Sequence, residues 1–96
     1  MTYEELRKAR ELFGLGERAG LKEIKARHRA LVKRHHPDQN SGHIPERIRE
    51  INAAYRVLTE YCNNYRFCFT QEEFLEQNPE ERLRRQFAQD PVWGGN

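Results

Sequence analysis

The feature that most constrains this chain is an apolar stripe at helical spacing: Ile44, Ile48, Ile51, Tyr55, Leu58 and Cys62 recur at intervals of three or four residues. Side chains spaced in this way share one face of an α-helix, and no stretch shows the apolar/polar alternation of a half-buried strand strongly enough to compete. The expected fold class is therefore all-α.

A second stripe, Leu21, Ile24, His28, Leu31, Val32 and His35, falls within one arc of a helix wheel and predicts an amphipathic helix over 21–35, about 22 Å long. Pro37 ends it, because proline disfavours helical geometry in the preceding residue and brings no N–H of its own. After a short loop, Pro45 suits the first turn of the next helix. Upstream, Thr2 and Glu5 form a capping-box pair, Leu6, Ala9 and Phe13 follow at helical spacing, and Gly14 supplies the C-cap. These signals predict an antiparallel hairpin of the second and third helices with the first helix covering the open side of its seam. Leu31 and Tyr55 are expected in its core.

Beyond the hairpin the pattern weakens. Residues 61–69 mix aromatics, both cysteines and an Asn63-Asn64 pair without periodicity. Thr70 with Glu73, and Asn78 with Pro79 and Glu81, then read as two helix starts, so two short C-terminal helices are expected, with Phe74, Leu75, Leu83 and Phe87 as packing residues. The stretch from Asp90 to Gly95 reads as an irregular tail whose Trp93 either anchors on the core or meets a partner. The expected organisation is a hairpin domain over 1–65 and a helical extension over 66–96, packed on that domain or appended to it.

Composition sets limits on function. The 96 residues suit one modest core, and a net charge of only +2 is too weak to imply nucleic-acid or membrane binding by the whole-molecule field. Two cysteines, Cys62 and Cys68, make neither a disulfide framework nor a four-ligand zinc site, and they are expected to pack as small hydrophobes. Charges run throughout Met1 to Phe13, so neither a signal peptide nor a membrane span is expected, and a cytoplasmic, reducing setting fits.

Charge is instead concentrated on the second helix, where Lys22, Lys25, Arg27, Arg29, Lys33 and Arg34 face the single acid Glu23. Lys22, Lys25, Arg29 and Lys33 form a stripe beside the apolar face, and Arg27 and Arg34 lie on its other flank. Like charges three and four apart repel, so the pattern costs the helix stability and points to an acidic partner, with a merely solvated face as the plain alternative. Phosphates or a carboxylate-rich protein surface would both serve. The helix ends in His36-Pro37-Asp38-Gln39-Asn40, where proline restrains His36 and sets Asp38 at the mouth of the loop. An exposed aspartate repels phosphates, yet it can accept charge-assisted hydrogen bonds from a protein's arginine. A protein surface is the better fit.

Leu31, His36-Pro37-Asp38 and Asn40, followed by Ile51-Asn52-Ala53-Ala54-Tyr55-Arg56-Val57-Leu58, resemble the pattern of the J-domain (DnaJ, or Hsp40) family, and Leu12-Phe13-Gly14-Leu15 is similar to the end of that family's first helix. The resemblance covers roughly residues 3–60. It implies a co-chaperone that binds an Hsp70 (DnaK-type) chaperone through His36, Pro37, Asp38 and Asn40 together with Lys22, Lys25, Arg29, Lys33 and Arg34, and stimulates ATP hydrolysis in that partner. The chain departs from the family at His28 and His35, where an aromatic is usual, and at Gln39, where a lysine or arginine is common. It also lacks a recognisable basic fourth helix after Leu58, and client binding by these residues is not expected. A specific client or assembly partner, if there is one, is expected to be recruited through the C-terminal segment.

Other chemistry finds little support. His35, His36, Asp38 and His43 show no regular ligand spacing, no motif places a serine or cysteine nucleophile, and so neither a metal, a cofactor nor an enzymatic activity is expected. Two alternatives to the co-chaperone reading stand: a small helical nucleic-acid-binding protein, disfavoured by the low net charge and by Asp38, and an inactive J-like assembly module.

Overall fold

A computed structural model describes residues 1–36 and 45–89. The described residues form five helices and no strand: α1 (Tyr3–Phe13), α2 (Leu21–Arg34), α3 (Glu46–Asn63), α4 (Gln71–Gln77) and α5 (Pro79–Gln89). The architecture is the all-α one that the periodicity predicts. The chain divides into two compact units, Met1–Tyr65 and Arg66–Asn96.

The first unit holds the core. Ala9 and Phe13 from α1, Leu15 after it, Ile24 from α2 and Ile48, Ile51, Ala54 and Leu58 from α3 are buried together, with Leu6, Leu12, Leu31, Val32, Tyr55, Val57 and Cys62 partly buried around them. Helix α3 supplies half of the buried set and packs against both α1 and α2, which touch each other much less. Burial is uneven along the expected stripe of α2. Only Ile24 is buried there, Leu31, Val32 and His35 are half-buried, and Leu21 is exposed. Leu31 and Tyr55, expected in the core, lie at its margin.

Both ends of α1 follow the capping rules. The Glu5 N–H donates to Thr2 Oγ1 and the Thr2 N–H to Glu5 Oε2, each at 3.1 Å, completing the capping box. At the other end Gly14 adopts a left-handed conformation with φ 64°; its N–H reaches Glu11 O and the Leu15 N–H reaches Arg10 O, the paired bonds of a Schellman cap. A Cβ at this position would stand 3.2 Å from Arg27 Nη1 as well as straining the backbone. Gly14→Ala should therefore cost on the order of 1–2 kcal/mol, seen as a lower denaturant midpoint at unchanged slope. An unaltered midpoint would rule out the cap as a stabilising element.

On the outer face of α1, Arg7 bridges Glu4 and Glu11. Its hydrogen bond to Glu4 holds that carboxyl below the usual range and raises the guanidinium above its own.

Helix boundaries differ from the sequence reading in three places, each for a local reason. The second helix stops at Arg34, with His35 as its C-cap donating its N–H to Leu31 O at 3.1 Å. Pro45 is the N-cap of α3 rather than its first-turn residue, and its carbonyl accepts from Ile48 and Arg49. Helix α3 runs on through Tyr61, Cys62 and Asn63, because Cys62 still reaches the core and Asn64 Nδ2 donates back to Glu60 O at 3.0 Å.

In the second unit Thr70 caps α4 as predicted, its Oγ1 accepting from the Glu73 N–H at 3.2 Å. Asn78 also serves α4: its side-chain amide donates to Phe74 O at 2.9 Å, while its backbone carbonyl accepts from the Glu81 and Arg82 N–H groups at the start of α5. No described residue of this unit is buried; of the four packing residues expected, Leu75 is half-buried and Phe74, Leu83 and Phe87 are about half exposed. Cys68 is also exposed, against expectation, and shares a 3.2 Å hydrogen bond with Thr70 Oγ1. Cys62 behaves as the small hydrophobe predicted. Trp93 lies outside the described residues.

Candidate partner-docking face

The basic side chains are positioned by the packing of α2 on α3, in which Ile24 enters the core and a group of rings stacks beside it. His28 lies face to face with Tyr55, their centroids 3.9 Å apart and their planes within 7°. Phe13 lies nearly parallel to both at centroid distances of 6.3 and 6.4 Å, so one side chain from each of α1, α2 and α3 meets in the group. His28 Nε2–H also donates to Asn52 Oδ1 at 2.9 Å. The histidine thus takes the packing place of an aromatic ring and adds a polar tie that a phenyl ring could not make.

With α2 held there, its basic residues divide by role. Arg27 turns to α1, where Nη1 donates to the carbonyls of Phe13 at 3.1 Å and Gly14 at 3.2 Å, and it lies 3.8 Å from Glu23. It therefore satisfies orphan acceptors at a helix end instead of facing a partner. Lys22, Lys25, Arg29, Lys33 and Arg34 are all exposed, and among the described residues none of the five is in an ion pair. At the end of the helix His36 is exposed, with its N–H 3.5 Å from Lys33 O.

Beside the stripe is an open groove of about 310 Å³ lined by His28, Arg29, Val32, Lys33 and His36. Its lining combines the apolar Val32 with the cations Arg29 and Lys33, which suits an apolar side chain accompanied by carboxylates. Six of the nine residues expected at the site, Lys22, Lys25, Arg29, Lys33, Arg34 and His36, are thus placed on or at the end of one helix. The other three, Pro37, Asp38 and Asn40, lie outside the described residues. Sequence reasoning did not single out Asn52 as a partner of His28, nor Val32 as part of the groove lining. No three His, Cys, Asp or Glu residues among those described are grouped to hold a metal ion, and no described helix is long and apolar enough to cross a membrane.

Comparison with known proteins converges on the same region. The sequence model of the DnaJ domain matches residues 4–64. A protein named Chaperone protein DnaJ from Ureaplasma parvum serovar 3 is 44% identical over 50 residues, which is 52% of this chain and 13% of that protein. The mouse protein DnaJ homolog subfamily C member 5B is 42% identical over 52 residues, 52% of this chain and 26% of its own. A Sinorhizobium protein described as an uncharacterized 19.0 kDa protein is 46% identical over 55 residues, 55% of this chain and 32% of its own. The chain therefore spans a third or less of the length of these relatives. No solved structure matches.

Proposed function

The chain belongs to the J-domain (DnaJ) family, a family of co-chaperones and not itself an enzyme class, and from that premise we propose that it docks on an Hsp70 chaperone through α2 and stimulates ATP hydrolysis there. The observation that carries this reading is the set of five exposed cations on α2, none of them ion-paired among the described residues, while the sixth, Arg27, is consumed by the fold. Like charges at i,i+3 and i,i+4 repel, so an arrangement that leaves Lys22, Lys25, Arg29 and Lys33 without acids between them serves a partner rather than the helix.

Hydrolysis takes place in the partner. For this chain to accelerate it, the docking face must bind the hydrolysis-competent state of Hsp70 better than the other states, because a ligand shifts an equilibrium only by its differential affinity. The exposed cations speed encounter, whereas the groove and the His36-Pro37-Asp38 segment offer the short-range contacts that can tell one state from another.

Single-turnover ATP hydrolysis by an Hsp70, with and without the full chain, tests this. Acceleration is expected, largest at low ionic strength and shrinking as salt screens the rim charges. Absence of acceleration across a panel of Hsp70 proteins would overturn the proposal, and tight binding to duplex nucleic acid in its place would assign the cations to phosphates.

A further inference from the structure

Among the side chains that line the α2 groove, Arg29 and Lys33 carry a fixed charge and Val32 none, whereas His28 and His36 can change theirs. His28 is held in place by the fold: its ring lies 3.9 Å from that of Tyr55 and shares a 2.9 Å hydrogen bond with Asn52 Oδ1. An amide oxygen can only accept, so the hydrogen in that bond belongs to Nε2. The second ring nitrogen, Nδ1, has no partner among the described residues.

This geometry lets the ring change charge without disturbing the fold. Nε2–H is present in both the neutral ring and the cation, so a proton added at Nδ1 leaves the bond to Asn52 intact, and the face of Tyr55 accepts a cationic ring as readily as a neutral one. The charged groups around it are cations. On α2 these are Lys25, Arg29 and Lys33, with His36 as a second titrating ring in the groove. On α3, where Tyr55 is the titratable neighbour, Arg49 and Arg56 lie one turn to either side of Asn52. From α1 comes the uncharged ring of Phe13. No carboxylate among the described residues is paired with His28, so a charged ring finds its counter-ion in a partner, as the reading of α2 already requires for Arg29 and Lys33.

We propose that His28 is a proton-linked contact of the docking groove, taking up a proton at Nδ1 as a carboxylate of the partner docks beside it, so that docking tightens as the pH falls. The proton comes from solvent and returns to it on release. The sign follows from linkage: the partner's carboxylate favours the charged ring, docking therefore binds a proton, and a lower pH drives it. The inference rests on α2 being the Hsp70-docking helix.

The affinity of the full chain for Hsp70, measured from about pH 8 down to about pH 6 with two variants beside the wild type, tests it. His28→Tyr keeps a ring against Tyr55 but no charge in this range, whereas His28→Arg keeps a flat donor for Asn52 and a permanent charge. Groups elsewhere in the chain and in the partner titrate alike in all three and cancel in the ratios. The wild type should bind like His28→Tyr at the upper end and approach His28→Arg at the lower, gaining about fivefold on the tyrosine variant. Calorimetry of the wild type in two buffers of different ionisation heat gives a reading that no variant's folding can obscure: docking near neutral pH should take up a fraction of a proton. A wild-type-to-tyrosine ratio that is flat with pH, or docking without proton uptake, would overturn the inference and leave the docking reading standing. A chain that binds no Hsp70 at any pH would overturn both.

Discussion

Reversing two charges on α2 together, Lys25→Glu with Arg29→Glu, is expected to slow Hsp70 stimulation at low salt by about 10- to 100-fold while leaving the chain as stable as before or slightly more so. The two positions are one turn apart and both exposed, and neither is ion-paired among the described residues. A four-unit change in local charge therefore falls on encounter with an acidic partner and touches nothing in the core. Within the helix the exchange relieves repulsion with Lys22 and Lys33, so the thermal midpoint should hold or rise. Raising ionic strength should narrow the gap between variant and wild type.

Arg27→Gln, on the same helix, provides the contrast. It removes the donors to the Phe13 and Gly14 carbonyls, and so should lower the midpoint while leaving stimulation per folded molecule unchanged. Asp38→Asn should abolish stimulation without moving the midpoint, as the resemblance implies for the acid of the His36-Pro37-Asp38 segment. Full stimulation by the Lys25/Arg29 variant would remove α2 as the docking helix, whatever Asp38 does.

How legible these features were depended on how local their physics is. The ends of α1 could be read because capping uses residues within a turn of each other: Thr2 and Glu5 at one end, Gly14 at the other. The stripe of α3 could be read because Ile48, Ile51 and Leu58 meet the core at the helical repeat. On α2 the same kind of pattern overstated burial, since periodicity marks which face is apolar but not how far a neighbour covers it. Coverage reaches Ile24 and stops short of Leu21.

Arg27 looked like one more basic residue, and its inward role depends on α1 ending within reach of a side chain thirteen positions away. The one clue in the sequence was that a helix closed by Gly14 leaves carbonyls in need of donors. His28 stood out as a departure from an aromatic, yet its stacking on Tyr55 and its bond to Asn52 depend on the register of two helices, which no local pattern encodes. The C-terminal helices were legible as helices through Thr70 and Pro79. Their packing was not, because Leu83 and Phe87 are apolar at helical spacing whether the face they form is covered from within the chain or by another molecule.

The largest stability effect is expected at Phe13. Phe13→Ala should cost about 3–5 kcal/mol, and Ile51→Ala about 2–5 kcal/mol, both read from denaturant midpoints at unchanged slope. Phe13 is 2% exposed and Ile51 0%, the two most completely buried large side chains among those described. Size alone would rank them close together, but Phe13 lies in the ring group with His28 and Tyr55. Its removal opens a cavity where α1, α2 and α3 meet. A small domain has about 5 kcal/mol in reserve, so Phe13→Ala should leave the first unit near the edge of folding at 25 °C. Tyr55→Ala, at a side chain only partly buried, should fall below both. If Tyr55→Ala proved the costliest of the three, the stack on His28 rather than burial in the core would be what holds α2 in place.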